Sequence, residues 1–97
     1  MNRTEADFLG KRFVGDGHVI SDEGIHVSRT FVGQDGNTYR RVYRPPQAKP
    51  QNWRSGTGVQ ANFETQMQVA GEPVYQHGQP TVTNRWQTIS NGHIDIE

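Results

Sequence analysis

The sequence predicts an α+β domain, a short N-terminal helix packed on a twisted, mostly antiparallel β-sheet of four to six strands. Two observations carry this expectation. Val59, Ala61, Phe63, Thr65, Met67 and Val69 alternate without a break with Gln60, Asn62, Glu64, Gln66 and Gln68, the period of two of a strand with one apolar and one polar face. Elsewhere short β-branched and aromatic pieces are separated by Gly, Asp, Asn and Pro, and only the first fifteen residues carry a helical pattern.

Each element follows from local chemistry. Thr4 with Asp7 resembles a capping box, Leu9 and Phe13 stand one helical turn apart, and Gly15 and Gly17 end the helix. Val19-Ile20, Ile25 with Val27, and Phe31-Val32 suit short strands. Asp35-Gly36 signals a hairpin leading into a strand from Thr38 to Tyr43, and Pro45-Pro46 should stop its pairing because neither ring can donate to a ladder. Residues 45–58 read as an irregular loop carrying Lys49, Trp53 and Arg54. After the long strand come turns at 71–73 and 77–80 around Val74-Tyr75, then a β-rich run from Thr81 to Ile89. Asn91-Gly92 reads as a two-residue hairpin turn, with a last strand over 93–97. That turn would oppose Ser90 to His93 and Ile89 to Ile94. It would place Ile89, Ile94 and Ile96 on the core face and Trp86, Thr88, His93 and Asp95 on the other.

Composition narrows the function classes. With 97 residues and 11.0 kDa, the whole chain, 1–97, is expected to be one domain with a thin core. Leu, Ile, Val and Phe total 19, but the net charge is zero, so the disorder signature is incomplete. There is no cysteine to supply disulfides or thiolate metal sites. The N-terminal MNRTEADFLGKRF lacks the apolar stretch of a signal peptide, and no apolar run approaches the ~20 residues that cross a bilayer. The neutral balance hides an asymmetry. Residues 36–63 hold Arg40, Arg41, Arg44, Lys49 and Arg54 without a carboxylate, interleaved with Tyr39, Tyr43 and Trp53. Arg and aromatic residues mixed in this way fit a polyanion, RNA in particular, while the plain alternative is a solvated loop between strands.

Four segments stand together as a set: FLGKRFVGDG at 8–17, YRPPQAKP at 43–50, VQANFE at 59–64 and WQTISNGHIDI at 86–96. In this order they resemble the C-terminal toxin domain of CdiA-type, filamentous-haemagglutinin-like proteins of contact-dependent growth inhibition, over about half of the chain. The resemblance implies a small ribonuclease of the barnase, EndoU, colicin and RelE-like group. Such a domain is exported as the C-terminal tip of a cell-surface carrier, cuts RNA, often tRNA, in the cytoplasm of a neighbouring bacterium, and is neutralised by a cognate immunity protein. It implies no lipid binding by the domain itself, and Met1 would not belong to the natural tip. It supplies no motif that fixes the catalytic set and is silent over 66–84.

Metal-independent RNA cleavage, which needs no cofactor, requires a base for the 2′-hydroxyl, an acid for the leaving 5′-oxygen and cations for the phosphate. His93 is the first choice for the base: histidine is the residue type suited to proton transfer near neutrality, and this one shares a face with Asp95. Glu64 is the alternative. Arg44 and Lys49 are candidates for the phosphate clamp, with Pro45 and Pro46 stiffening the chain between them. The substrate-binding set is Arg41, Gln60, Asn62 and Asn91, with Trp53 and Trp86 as stacking platforms. A polar strand face is more often simply the wet side of a sheet, and either Trp could be core. Two other readings remain open. One is a metal nuclease using His93, Asp95 and Glu97 with His18 or His26, although no zinc-binding pattern is present. The other is a non-enzymatic β-rich binding or structural module.

Overall fold

The computed structural model describes residues 1–48 and 59–96; Lys49, Trp53, Arg54 and Glu97 lie outside them. Among the described residues there is one helix, α1 (Arg3–Val14), followed by β1 (Val19–Ile20), β2 (His26–Val27), β3 (Phe31–Val32), β4 (Thr38–Ala48), β5 (Val59–Ala70), β6 (Val74–Gln76), β7 (Gln79–Thr81) and β8 (Asn84–Asp95). Five strands run in the order β1-β2-β4-β5-β8, with β3 also paired to β4, and every pairing in this sheet is antiparallel. β6 and β7 form a separate two-stranded hairpin. This is the predicted α+β class, and no helix among the described residues is long and apolar enough to cross a membrane.

The helix starts earlier than the Thr4 signal suggested. Asn2 is the N-cap: its Oδ1 accepts from the Glu5 amide at 2.8 Å, and the Glu5 carboxylate accepts from the Asn2 amide at 3.1 Å. That reciprocal pair satisfies two of the orphan donors of the first turn, and Asn caps as well as Thr does. The face turned to the sheet is Ala6, Gly10 and Val14, so Leu9 stays exposed. Against it pack Tyr43, Ala61 and Ile96, with Met1, Phe13, Val59 and Phe63 around them.

Two strands differ from expectation for related reasons. Pro45 and Pro46 do not end β4. The ladder passes from Arg44 opposite Asn62 to Gln47 opposite Gln60, so β4 carries one extra residue there and then resumes pairing. A bulge is where a strand tolerates residues without an N–H. Asn91-Gly92 does not turn the chain: β8 runs unbroken from Asn84 to Asp95, with Asn91 opposite Glu64 and Gly92 opposite Phe63. A long partner overrides a local turn preference, since β5 offers twelve residues of pairing against the few of a terminal hairpin. Ser90 and Ile94 accordingly face Thr65 and Ala61 rather than His93 and Ile89. The ladder steps from Thr65↔Ser90 to Gln66↔Thr88, leaving Ile89 as the extra residue of a second bulge, half exposed instead of in the core. Asp35-Gly36 does make the predicted turn into β4, with Gly36 at φ 82°.

A second cluster ties the helix to the sheet edge. His18 Nδ1 lies 2.8 Å from the Gly15 carbonyl, and His26 Nδ1 lies 3.0 Å from His18 Nε2. The carbonyl can only accept, so His18 carries its proton on Nδ1 and accepts from His26 through Nε2. Burial pushes His26 below its ordinary value of 6.5, His18 and Lys11 push the same way, and Asp7 opposes them. The unfolded chain therefore binds a proton that the folded one refuses. This contribution to stability is complete above pH 6.5 and is lost as the pH falls through the lower folded value. Urea midpoints should drop between about pH 7.5 and about pH 5.5, and His26→Gln should flatten that drop; an unchanged slope would show that the fold does not hold His26 below its ordinary value.

Candidate active site

Strand alternation splits the side chains of β4, β5 and β8 between two faces. Tyr43, Ala61, Phe63 and Ile94 belong to the face that meets the helix, along with Arg41, which is opposite Thr65. Gln60, Asn62, Glu64, Gln66 and Gln68 belong to the other. Across β5 they meet Arg40, Val42 and Arg44 from β4 and Trp86, Thr88, Asn91, His93 and Asp95 from β8. The Ile89 bulge allows this: without the extra residue, Trp86 and Thr88 would fall on the face opposite His93 and Asp95.

Along β5 this polar face is not the wet side of a sheet, whereas Thr88, Asn91, His93 and Asp95 of β8 on the same face are exposed. Gln60, Asn62, Glu64 and Gln66 are 5–7% exposed, and buried polar groups of this kind have to be hydrogen-bonded. Glu64 is the hub. Its Oε2 accepts from Arg44 Nε in an ion pair, and its Oε1 accepts from the Thr88 hydroxyl at 3.0 Å and from the Gln66 amide at 3.5 Å. Gln66 Oε1 accepts in turn from Arg40 Nε at 2.7 Å, and the Arg40 guanidinium lies 4.3 Å from the centre of the Trp86 ring. Gln60 donates to Asp95 at 3.2 Å.

The charges follow from these contacts. Burial drives the Glu64 carboxyl upward, but the hydrogen bond and charge of Arg44, with Thr88 and Gln66, outweigh it and leave the group below its ordinary value. It is an anion at neutral pH, buried yet fully liganded. Arg40 is drawn down by burial and by Arg44 beside it, against the pull of Glu64. Two cations and one carboxylate therefore share a few ångströms of half-buried surface. Beside them opens a cleft of about 410 Å³ whose lining includes Arg40, Arg44 and Gln66, the apolar Val27 and Val42, and the carboxylates of Asp22 and Glu23.

No protein-family model, curated protein or solved structure matches the chain.

Of the predicted site residues, the structure brings together Arg44, Glu64, Gln60, Asn62, Trp86, Asn91 and His93 on one face. His93 is opposite Asn62, one diagonal from Glu64, a separation of about 7–8 Å between Cα atoms. Arg41 belongs elsewhere: its guanidinium lies 5.4 Å from the ring centres of both Phe13 and Phe31, on the helix face. The same alternation separates the metal-nuclease ligands. His26 is opposite Tyr43 and its ring is 5.4 Å from that of Tyr43, so neither it nor His18, bonded to it, can join His93 and Asp95. Among the described residues no three His, Cys, Asp or Glu side chains converge as a metal site would require.

Three members of the cluster were missed as site residues: Arg40, Gln66 and Thr88. The signal for Arg40 was available. Positions 40, 42 and 44 alternate with Tyr39, Arg41 and Tyr43, so assigning the tyrosines to the core puts Arg40 and Arg44 together and expels Arg41. Thr88 was placed on the face of His93 and Trp86, but its position opposite Gln66 and beside Glu64 follows only from the pairing of β8 with β5.

Proposed function

We propose that the chain is a metal-independent endoribonuclease acting as a toxin domain, with RNA, tRNA above all, as its substrate and a cognate immunity protein as its inhibitor. The observation that carries the enzymatic part is the ionised, buried Glu64 held between Arg44, Thr88 and Gln66, with Arg40 alongside and His93 on the same face. The toxin setting and its delivery from a surface carrier into a neighbouring cell's cytoplasm rest on the sequence resemblance.

The chemistry assigns roles. Glu64, rather than His93, suits the base, because it is an anion at the centre of the cluster. Paired with Arg44 it is a weak base, since its affinity for a proton is depressed. A substrate phosphate changes this, because it competes for the Arg44 guanidinium, whose side chain is 37% exposed and can turn outward. Released from its partner, the carboxylate takes the proton of the 2′-hydroxyl. The 2′-oxygen attacks phosphorus, Arg40 and Arg44 hold the added charge, and the bond to the 5′-oxygen breaks as His93 delivers a proton to it. The products are a 2′,3′-cyclic phosphate and a 5′-hydroxyl. Trp86, already bearing Arg40 on its ring, offers a stacking surface for a base. An immunity protein covering this face would present carboxylates to Arg40 and Arg44.

Incubation of the domain with total cellular RNA in excess EDTA, resolved on a denaturing gel, tests the proposal. Discrete fragments are expected with the wild type and none with His93→Ala, whose circular dichroism should match the parent. Intact RNA in both lanes would overturn the ribonuclease assignment.

A further inference from the structure

The buried polar side chains of β5 are hydrogen-bonded, with one exception among the described residues. Asn62, 7% exposed, has a side-chain oxygen that is buried and accepts no hydrogen bond from the described residues. Its neighbours along β5 are satisfied: Gln60 donates to Asp95, Gln66 accepts from Arg40, and Glu64 accepts from three donors. A buried acceptor left unmade costs free energy on the scale of a lost hydrogen bond, and folded proteins seldom retain one without a use.

Its surroundings define what could fill it. Asn62 is opposite Arg44 on one side and His93 on the other. A ligand whose phosphate engages Arg44 must present to Asn62 a neutral donor carried close to that phosphate. In RNA the group that meets this description is a ribose 2′-hydroxyl, which can donate as well as accept. The upstream 2′-hydroxyl is the nucleophile and belongs to Glu64. Asn62 stands two residues along the same face, a backbone separation of about 6.7 Å, and directly across from His93, the acid that protonates the leaving nucleotide.

We propose that Asn62 Oδ1 accepts a hydrogen bond from the 2′-hydroxyl of the nucleotide on the 3′ side of the cleaved bond. The domain then reads ribose twice, once through the nucleophile and once where the chemistry does not need it. This rests on the ribonuclease reading above and adds a substrate contact to it.

The test uses short RNAs carrying the mapped cleavage site, with a single 2′-deoxy or 2′-fluoro substitution at the 3′-side nucleotide. Both remove the hydroxyl donor, and fluorine keeps the size. With the wild type each should lower kcat/KM about tenfold. With Asn62→Ala, already slower on all-ribose RNA by a similar factor, neither should matter further, because the partner has gone. Cleavage of the substituted RNAs at the full rate would overturn the proposal. So would a loss that persists undiminished in Asn62→Ala, or a variant that changes base preference at that nucleotide instead of sensitivity to the 2′ position. If Asn62→Ala does not fold, the wild type with the two substituted RNAs decides alone. Failure of the wild type to cut any RNA would remove the ribonuclease reading and this contact with it, whereas cutting without a 3′-side effect removes only the contact.

Discussion

Glu64→Gln should lower RNA cleavage by about two to four orders of magnitude while leaving the fold in place, the loss expected when a general base is replaced by its neutral isostere. The amide fills the same volume, and its oxygen can still accept from Thr88 or Gln66. Arg44 loses its counter-charge, but its side chain is 37% exposed and can turn to water. Urea denaturation should therefore show a modest loss of stability beside a near-complete loss of turnover. Glu64→Ala is a poorer probe, because it leaves a buried gap and two neighbouring guanidinium groups unneutralised. A Glu64→Gln protein that cuts RNA at the parental rate would remove Glu64 as the base and return that role to His93.

Gly10→Ala is expected to have the largest effect on the fold itself. A methyl group built at Gly10 would stand 2.4 Å from Cγ, Cδ2 and Cε2 of Tyr43. Tyr43 cannot give way. It is fully buried, donates from its hydroxyl to Asp7 at 2.9 Å, and has the rings of His26 and Phe63 centred 5.4 and 5.2 Å from its own. Burial and the bond to Asp7 also raise the phenol above its ordinary value, so it stays a donor at any working pH. The helix would have to lift from the sheet to admit the methyl group, at a cost of about 1–3 kcal/mol or more. For a domain of this size that lowers Tm by roughly 4–8 °C per kcal/mol. Ala is otherwise the better helix residue than Gly, so the sign of the result is diagnostic. A gain in Tm would mean that α1 does not pack on Tyr43 at Gly10.

The sequence announced some of this architecture and concealed the rest for physical reasons. Alternation over 59–69 placed β5 and both of its faces correctly, because a period of two survives any change in the neighbours. Two local signals misled. Pro45-Pro46 and Asn91-Gly92 are genuine turn and breaker chemistry, yet each sits within a strand, since β5 pairs with β4 and β8 over its length and local preference yields to that ladder. The faces of His93 and Trp86 were nonetheless foreseen. A hairpin at 91–92 and a bulge at Ile89 both reverse parity once, and parity alone decides the face. What could not be read was the burial of the polar face. Glutamines and asparagines at alternate positions look like a solvated surface, and only the register that brings Arg40, Arg44 and Thr88 beside Glu64 shows them bonded to one another.

The proposed cleavage of RNA by attack of the RNA's own 2′-hydroxyl, with no metal ion, is tested most directly by mass spectrometry of the ends left on a short RNA after incubation with the wild-type domain in excess EDTA. Glu64 as base and His93 as acid require a 2′,3′-cyclic phosphate on one fragment and a 5′-hydroxyl on the next. A 3′-hydroxyl with a 5′-phosphate, or cleavage that appears only when divalent metal is restored, would rule that mechanism out.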